Sequence, residues 1–140
     1  METGLAINKL SNLLRRRSAQ ILKTVGISGA QGSVLDFLLV SPGPVCQRDV
    51  EQEFGLRPST ASELLQTMEK SGLIRRLPDP ADARRKNLEP DPQAAAVCSA
   101  LRQEITGTET LLLQGISEAE KQQFLATARK MLQNLQEATQ

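Results

Sequence analysis

Between Pro58 and Pro92 the hydrophobic period of this chain changes once, and that change restricts it to few folds. From Pro58 to Lys70, the residues Ala61, Leu64, Leu65 and Met68 recur at helical spacing, and Ser59, Ser62, Glu63, Gln66 and Lys70 take the opposite face. Pro58 suits the first position of a helix, and Gly72 suits the residue just past its end. Beyond Gly72 the helical stripe stops. "LIRRL" at 73–77 and "NLEP" at 87–90 are short extended candidates on either side of a polar, basic segment, which predicts a small hairpin. Pro90 has no N–H to offer a strand ladder and is expected to shorten the second strand.

The rest of the chain reads as helices. Leu10, Leu13, Leu14, Ile21 and Val25 predict one over about residues 4–25, ending near Gly26. "SGAQ" at 28–31 is a capping box that starts a second helix through Val34, Leu35 and Leu38, which "SPGP" at 41–44 stops. "QRDVEQEFG" is a short third helix with Val50 and Phe54 four apart. After the hairpin, Asp91 caps and Pro92 opens a helix lined by Val97, Leu101, Ile105 and Leu112. "SEAE" at 117–120 is another capping box, ahead of Phe124, Ala128, Met131, Leu132 and Leu135. With Phe37, Phe54 and Phe124 as the only aromatics, the core is mostly aliphatic, which favours packed helices over a β-sandwich. The fold class is mainly α, about six helices plus a small β-hairpin. The long first helix and the last two carry apolar stripes that the central unit cannot cover, so they want a partner, most simply a second copy of themselves.

Several function classes drop out. The chain has no histidine, which removes Ser-His and Cys-His catalysis and a histidine pH switch. Two cysteines fall short of a closed zinc site, and no Gly-rich phosphate loop occurs, so neither a metal, a cofactor nor an enzyme activity is expected. Cys46 and Cys98 read as small buried apolar residues rather than sensors. No apolar run approaches a membrane span, and the basic cluster Arg15–Arg17 follows the apolar residues, the reverse of a secretory signal, which points to the cytoplasm. That cluster reads first as a solvated helix face. Net charge is only +1, but Arg75, Arg76, Arg84, Arg85 and Lys86 stand against Asp79 and Asp82 over residues 72–88, and binding to an anionic polymer follows the local field.

A short helix, a turn and a helix with an open polar face form a helix-turn-helix pattern, and a hairpin directly after it makes the winged arrangement. Its chemistry fits double-stranded DNA. Pro58, Ser59, Thr60 and Ser62 place hydroxyls at a helix N-terminus, suited to phosphates or base edges. Gln66 suits an adenine edge; Glu63 either accepts from a cytosine amine or repels phosphate and orients a neighbour. Arg84 and Arg85 suit a narrow minor groove, and Asp82 either braces Arg84 or holds the loop's shape. Arg85 and Lys86 stay open between backbone contact and plain solvation.

Three motifs in order, "STAS" at 59–62, "EKSGLIRR" at 69–76 and "DAR" at 82–84, resemble the DNA-binding core of the MarR (multiple antibiotic resistance regulator) family of bacterial transcription factors. The resemblance is close over about 40 residues and looser over the flanking helices. It implies a homodimeric winged helix-turn-helix protein, with residues 1–30 and 91–140 forming the dimerisation region and residues 31–90 the inserted DNA-binding lobe. It also implies a wing that uses Arg75, Arg76, Asp82, Arg84, Arg85 and Lys86. The function it implies is a sequence-specific repressor of a pseudo-palindromic operator, responsive to a small-molecule effector. The alternative is a winged-helix dimer that serves as a protein-interaction module without DNA binding.

Overall fold

The computed structural model describes residues 1–139. Along them run α1 (Thr3–Val25), α2 (Gly29–Val40), α3 (Gln47–Phe54), α4 (Pro58–Lys70), β1 (Ile74–Pro78), β2 (Lys86–Pro90), a single 3-10 turn (Pro92–Ala94), α5 (Ala95–Leu112) and α6 (Glu118–Ala138). The boundaries follow from local chemistry. At α2 the Ser28 hydroxyl accepts the Gln31 N–H at 3.2 Å while the Gln31 amide accepts the Ser28 N–H at 3.1 Å, so both halves of the capping box form. Ser117 and Glu120 repeat it at α6. Asp91 caps the 3-10 turn that leads into α5 by accepting the Gln93 N–H at 3.0 Å.

The end of α4 positions the hairpin. Gly72 adopts φ +77°, and the Leu73 N–H closes on the Met68 carbonyl at 2.9 Å while the Gly72 N–H closes on Glu69 at 3.2 Å. This Schellman closure needs a left-handed residue, which glycine supplies without a steric penalty. A Cβ at Gly72 would also fall 2.7 Å from the Gln93 side chain. The chain reverses there and delivers Leu73 and Ile74, both buried, into the core.

β1 and β2 pair antiparallel with Ile74 opposite Pro90 and Pro78 opposite Lys86. Leu88 gives its N–H to Val45 on the far side at 2.7 Å, so Val45 acts as a one-residue third strand. Since N–H groups alternate in direction along a strand, those of residues 86, 88 and 90 point away from β1. Pro90 therefore removes no bond from the ladder and does not shorten the strand, contrary to expectation. Pro78, opposite Lys86, sits at an equivalent position.

Two compact units emerge, residues 1–105 and 106–140. In the first, Val34, Leu35, Val50, Leu65, Met68 and Ile74 are almost fully buried, joined by Leu88, Cys98 and Leu101. Phe37 and Phe54 meet edge to face at 5.7 Å. α5 buries Cys98 and Leu101, with Val97 and Ile105 packed beside them. Leu112, expected on the same stripe, is 41% exposed. Glu104 is a buried charge that the sequence does not advertise; the Ser18 hydroxyl donates to it at 3.3 Å, and Arg102 pairs with Asp36 at 2.6 Å. Leu5, Ile7, Leu10 and Leu13 of α1 remain exposed. In the second unit, Lys121 pairs with Glu109 at 3.7 Å, and Phe124, Leu132 and Leu135 of α6 are exposed.

Leu65 is fully buried at the centre of the helix-turn-helix. Leu65→Ala is expected to cost about 2–5 kcal/mol in urea unfolding, from lost burial plus the cavity left behind.

Candidate nucleic-acid interface

The polar face of α4 is set by the burial of the other. With Ala61, Leu65 and Met68 inside, the helical period turns Ser59, Thr60, Glu63 and Gln66 outward, and Ser62 is half-buried at the margin. Gln66 donates to the Ser62 hydroxyl at 3.1 Å. Pro58 takes the first helical position, as the sequence predicts, and no side chain caps this helix. Its N-terminal N–H groups and the dipole behind them are left to water or an anion. Arg57, the exposed residue just before Pro58, adds a positive charge at that end. Arg57 lies outside the sequence motifs, although a cation beside a helix N-terminus is a visible signal. The start of α3 is tied to the start of α4 by Gln47, whose amide donates to the Pro58 carbonyl at 3.3 Å.

The hairpin tip is organised by Asp79. Its Oδ1 accepts the N–H groups of Ala81 at 2.8 Å and Asp82 at 3.1 Å, and its Oδ2 accepts the Asn87 amide at 3.0 Å. The Asn87 amide, followed by these backbone N–H groups, holds the Asp79 carboxyl below its ordinary pKa. Asp82 accepts the Arg84 backbone N–H at 3.0 Å and takes the Arg85 N–H on its carbonyl at 3.0 Å, so it holds the loop's shape rather than the Arg84 guanidinium. The loop closes where the Asp79 N–H reaches the Arg85 carbonyl at 2.9 Å.

The basic residues divide by what they touch. Arg75 meets Glu89 directly across the ladder at 3.1 Å, and Arg76 reaches Glu69 of α4 at 3.4 Å. Arg85 is half-buried. Its Nε donates to the Asn87 amide oxygen at 3.1 Å and lies 3.8 Å from Asp79 Oδ2. Its Nη2 donates to the Pro44 carbonyl at 3.2 Å and to Asp49 of α3 at 3.5 Å. Arg84 at the tip and Lys86 at the start of β2 are exposed, and among the described residues neither side chain has an ion-pair partner.

Asp49 also accepts the Cys46 N–H at 2.9 Å and the thiol at 3.3 Å. The Cys46 N–H, with the thiol and Arg85 adding to it, depresses the Asp49 pKa. Cys46 is thus half-buried and hydrogen-bonded, not the buried apolar residue expected of it. Cys98 is buried, and burial raises its thiol pKa. Among the described residues, no group of three or more His, Cys, Asp or Glu stands close enough to hold a metal ion. Nor is any of their helices long and apolar enough to cross a membrane.

A helix-turn-helix whose second helix runs through a glycine reversal into a basic-tipped hairpin is the winged geometry. A family model described as the MarR family matches residues 25–85, which span α2 to the wing. From α2 to the wing the chain is similar to the MarR family. Its members are winged helix-turn-helix transcriptional regulators, not enzymes, and solved structures carry the likeness beyond the matched segment. MepR of S. aureus in its DNA-binding conformation is 26% identical, with a TM-score of 0.88 over 96% of this chain and 99% of that one. The S. aureus MepR–DNA complex gives a TM-score of 0.80 at 26% identity, over 96% of this chain and 98% of that one. MarR from Oenococcus oeni PSU-1 gives 0.85 at 26% identity, over 94% and 99%. No curated protein sequence matches the chain.

The wing's acid–base ties set its pH response. Asp49 and Asp79 have folded pKa values below the ordinary one, so their contribution is complete above about pH 4 and is lost as pH falls through the depressed values. With no histidine in the chain, wing order is expected to stay level from about pH 5 to 8 and to fail only in stronger acid. Amide exchange across residues 79–87 as a function of pH checks this.

Proposed function

We propose that this chain is a sequence-specific, DNA-binding transcriptional repressor of the MarR family that works as a homodimer in the cytoplasm and releases its operator when a small-molecule effector binds. The observation that carries the reading is the pairing of an uncapped, outward-facing α4 with a wing tip where, among the described residues, Arg84 and Lys86 have no ion-pair partner. α4 offers Ser59, Thr60, Ser62 and Gln66 to a major groove, with Glu63 selecting against some bases and the first-turn N–H groups meeting phosphate. Arg84 enters the neighbouring minor groove, where the potential is most negative. The MepR–DNA complex supports the reading by showing a structural relative on DNA. Residues 1–30 and 91–140 form the dimerisation region, and residues 31–90 the DNA-binding lobe. The exposed leucines of α1 in the first unit, and separately those of α6 in the second, are what a second copy would cover.

Genomic fragments retained by the protein should share a pseudo-palindrome, and affinity for them should fall by about 0.9 log unit per phosphate contact per log unit of salt. Arg84→Ala is expected to weaken that binding by about 1–3 kcal/mol in fluorescence anisotropy. Retention of no duplex even at low salt would overturn the DNA-binding reading.

The dimer predicts a sedimentation mass of two chains. Leu132→Asp with Leu135→Asp, both exposed in the single chain, is expected to return it to one chain without loss of helicity by circular dichroism.

A further inference from the structure

Arg85 is the basic residue of the wing that reaches α3. One guanidinium meets three places: Asn87 and Asp79 within the hairpin, the Pro44 carbonyl of the α2–α3 loop, and Asp49 on α3. These are separate parts of the chain, 41 and 36 residues from Arg85 for Pro44 and Asp49. A two-stranded hairpin is marginal by itself, so its direction is set by whatever ties it to the body. Besides the core residues at its base, the ties are the Val45–Leu88 bridge, Arg76–Glu69 and the Arg85 set. Of these, the Arg85 set lies nearest the tip. Its planar fork can serve a carbonyl and a carboxylate together, which a lysine ammonium does not do in fixed geometry.

We infer that Arg85 is a positioning residue rather than a DNA contact: by linking the wing to Pro44 and Asp49, it fixes where Arg84 is presented. The inference rests on the DNA-binding reading above for its effect on affinity, but not for its effect on the wing. With the Arg85 and Asp49 side chains 38% and 40% exposed, the link adds little to global stability, so its removal leaves the fold intact. It lies on the wall of an open cleft of about 440 Å³, which leaves room for a released guanidinium to turn to solvent.

The test uses Arg85→Gln, Asp49→Asn and the double variant in the full chain. The Asp49→Asn change keeps an acceptor for the Cys46 N–H but removes the charge. Amide exchange is read first, without DNA: residues 79–85 should exchange faster in all three variants while α4 amides around Leu65 keep their protection. Binding is then measured on the genomic duplex that the unaltered chain retains most tightly. Each single variant should weaken it by about ten-fold, and the double variant no further. The sign at Asp49 is decisive. Removing an acid near DNA strengthens or spares binding if Arg85 touches DNA or is merely solvated, whereas loss of the link weakens it. Unchanged wing exchange in Arg85→Gln, tighter or unaltered binding by Asp49→Asn, or additive losses would each overturn the inference. If the unaltered chain retains no duplex, the DNA-binding reading fails and wing exchange still decides the role of Arg85.

Discussion

At Gly72 two backbone hydrogen bonds close the end of α4, and the chain passes from a helix that buries one residue in three or four to an extended hairpin anchored by Leu73 and Ile74. The hairpin, its register and the height of its tip above α4 descend from that reversal. Leu73 enters the core only if the residue before it is left-handed, and Ile74 then fixes which face of β1 looks inward. A side chain at position 72 meets two obstacles of unequal weight. Contact with Gln93 is relieved by moving a flexible amide, but the cost of the backbone conformation, about 1–2 kcal/mol, has no such relief. The reversal from α4 into β1 therefore rests on backbone conformation more than on the contact with Gln93.

The wing also shows how little a count of charges says about a field. Arg75, Arg76 and Arg85 are matched inside the fold by Glu89, Glu69, Asp49 and Asp79, so the positive potential at the tip is carried by Arg84 and Lys86. Internal pairing in such exposed positions stabilises weakly, but it constrains direction. Asp79, rather than Asp82, is the centre of the loop, because it gathers two backbone N–H groups and the Asn87 amide onto one carboxylate.

The parts of this architecture written in local chemistry are legible in the sequence. Ser28–Gln31 and Ser117–Glu120 mark helix starts, Gly26, Gly55 and Gly72 mark stops, and the period of Ala61, Leu65 and Met68 decides which face of α4 meets solvent. Asp79 belongs to the same class, since an aspartate ahead of a proline in a turn commonly captures N–H groups just beyond, whereas Asp82, the more conspicuous acid beside Arg84, has the lesser part. Contacts between distant segments are not legible. Nothing near Arg85 in the chain announces Asp49, nothing in "SPGP" announces that Val45 will pair with Leu88, and the Ser18–Glu104 contact joins helices 86 residues apart. Leu112 keeps the helical phase of Ile105 yet is exposed, because burial depends on what a face meets, and Pro90 defeats expectation because the outward direction of its missing N–H depends on the register.

That register has a bearing on how the protein behaves when crowded. A bare hairpin edge is a template on which another chain can add a strand. Along β2 the outward positions are Lys86, Leu88 and Pro90, of which Leu88 is already satisfied by Val45 and Pro90 has nothing to donate. Along β1 they are Ile74, which is buried, Arg76, whose side chain is tied to α4, and Pro78, which again lacks a donor. Both rims are thus broken by proline or flanked by charge, so the wing can project into solvent at high concentration without seeding sheet growth between molecules.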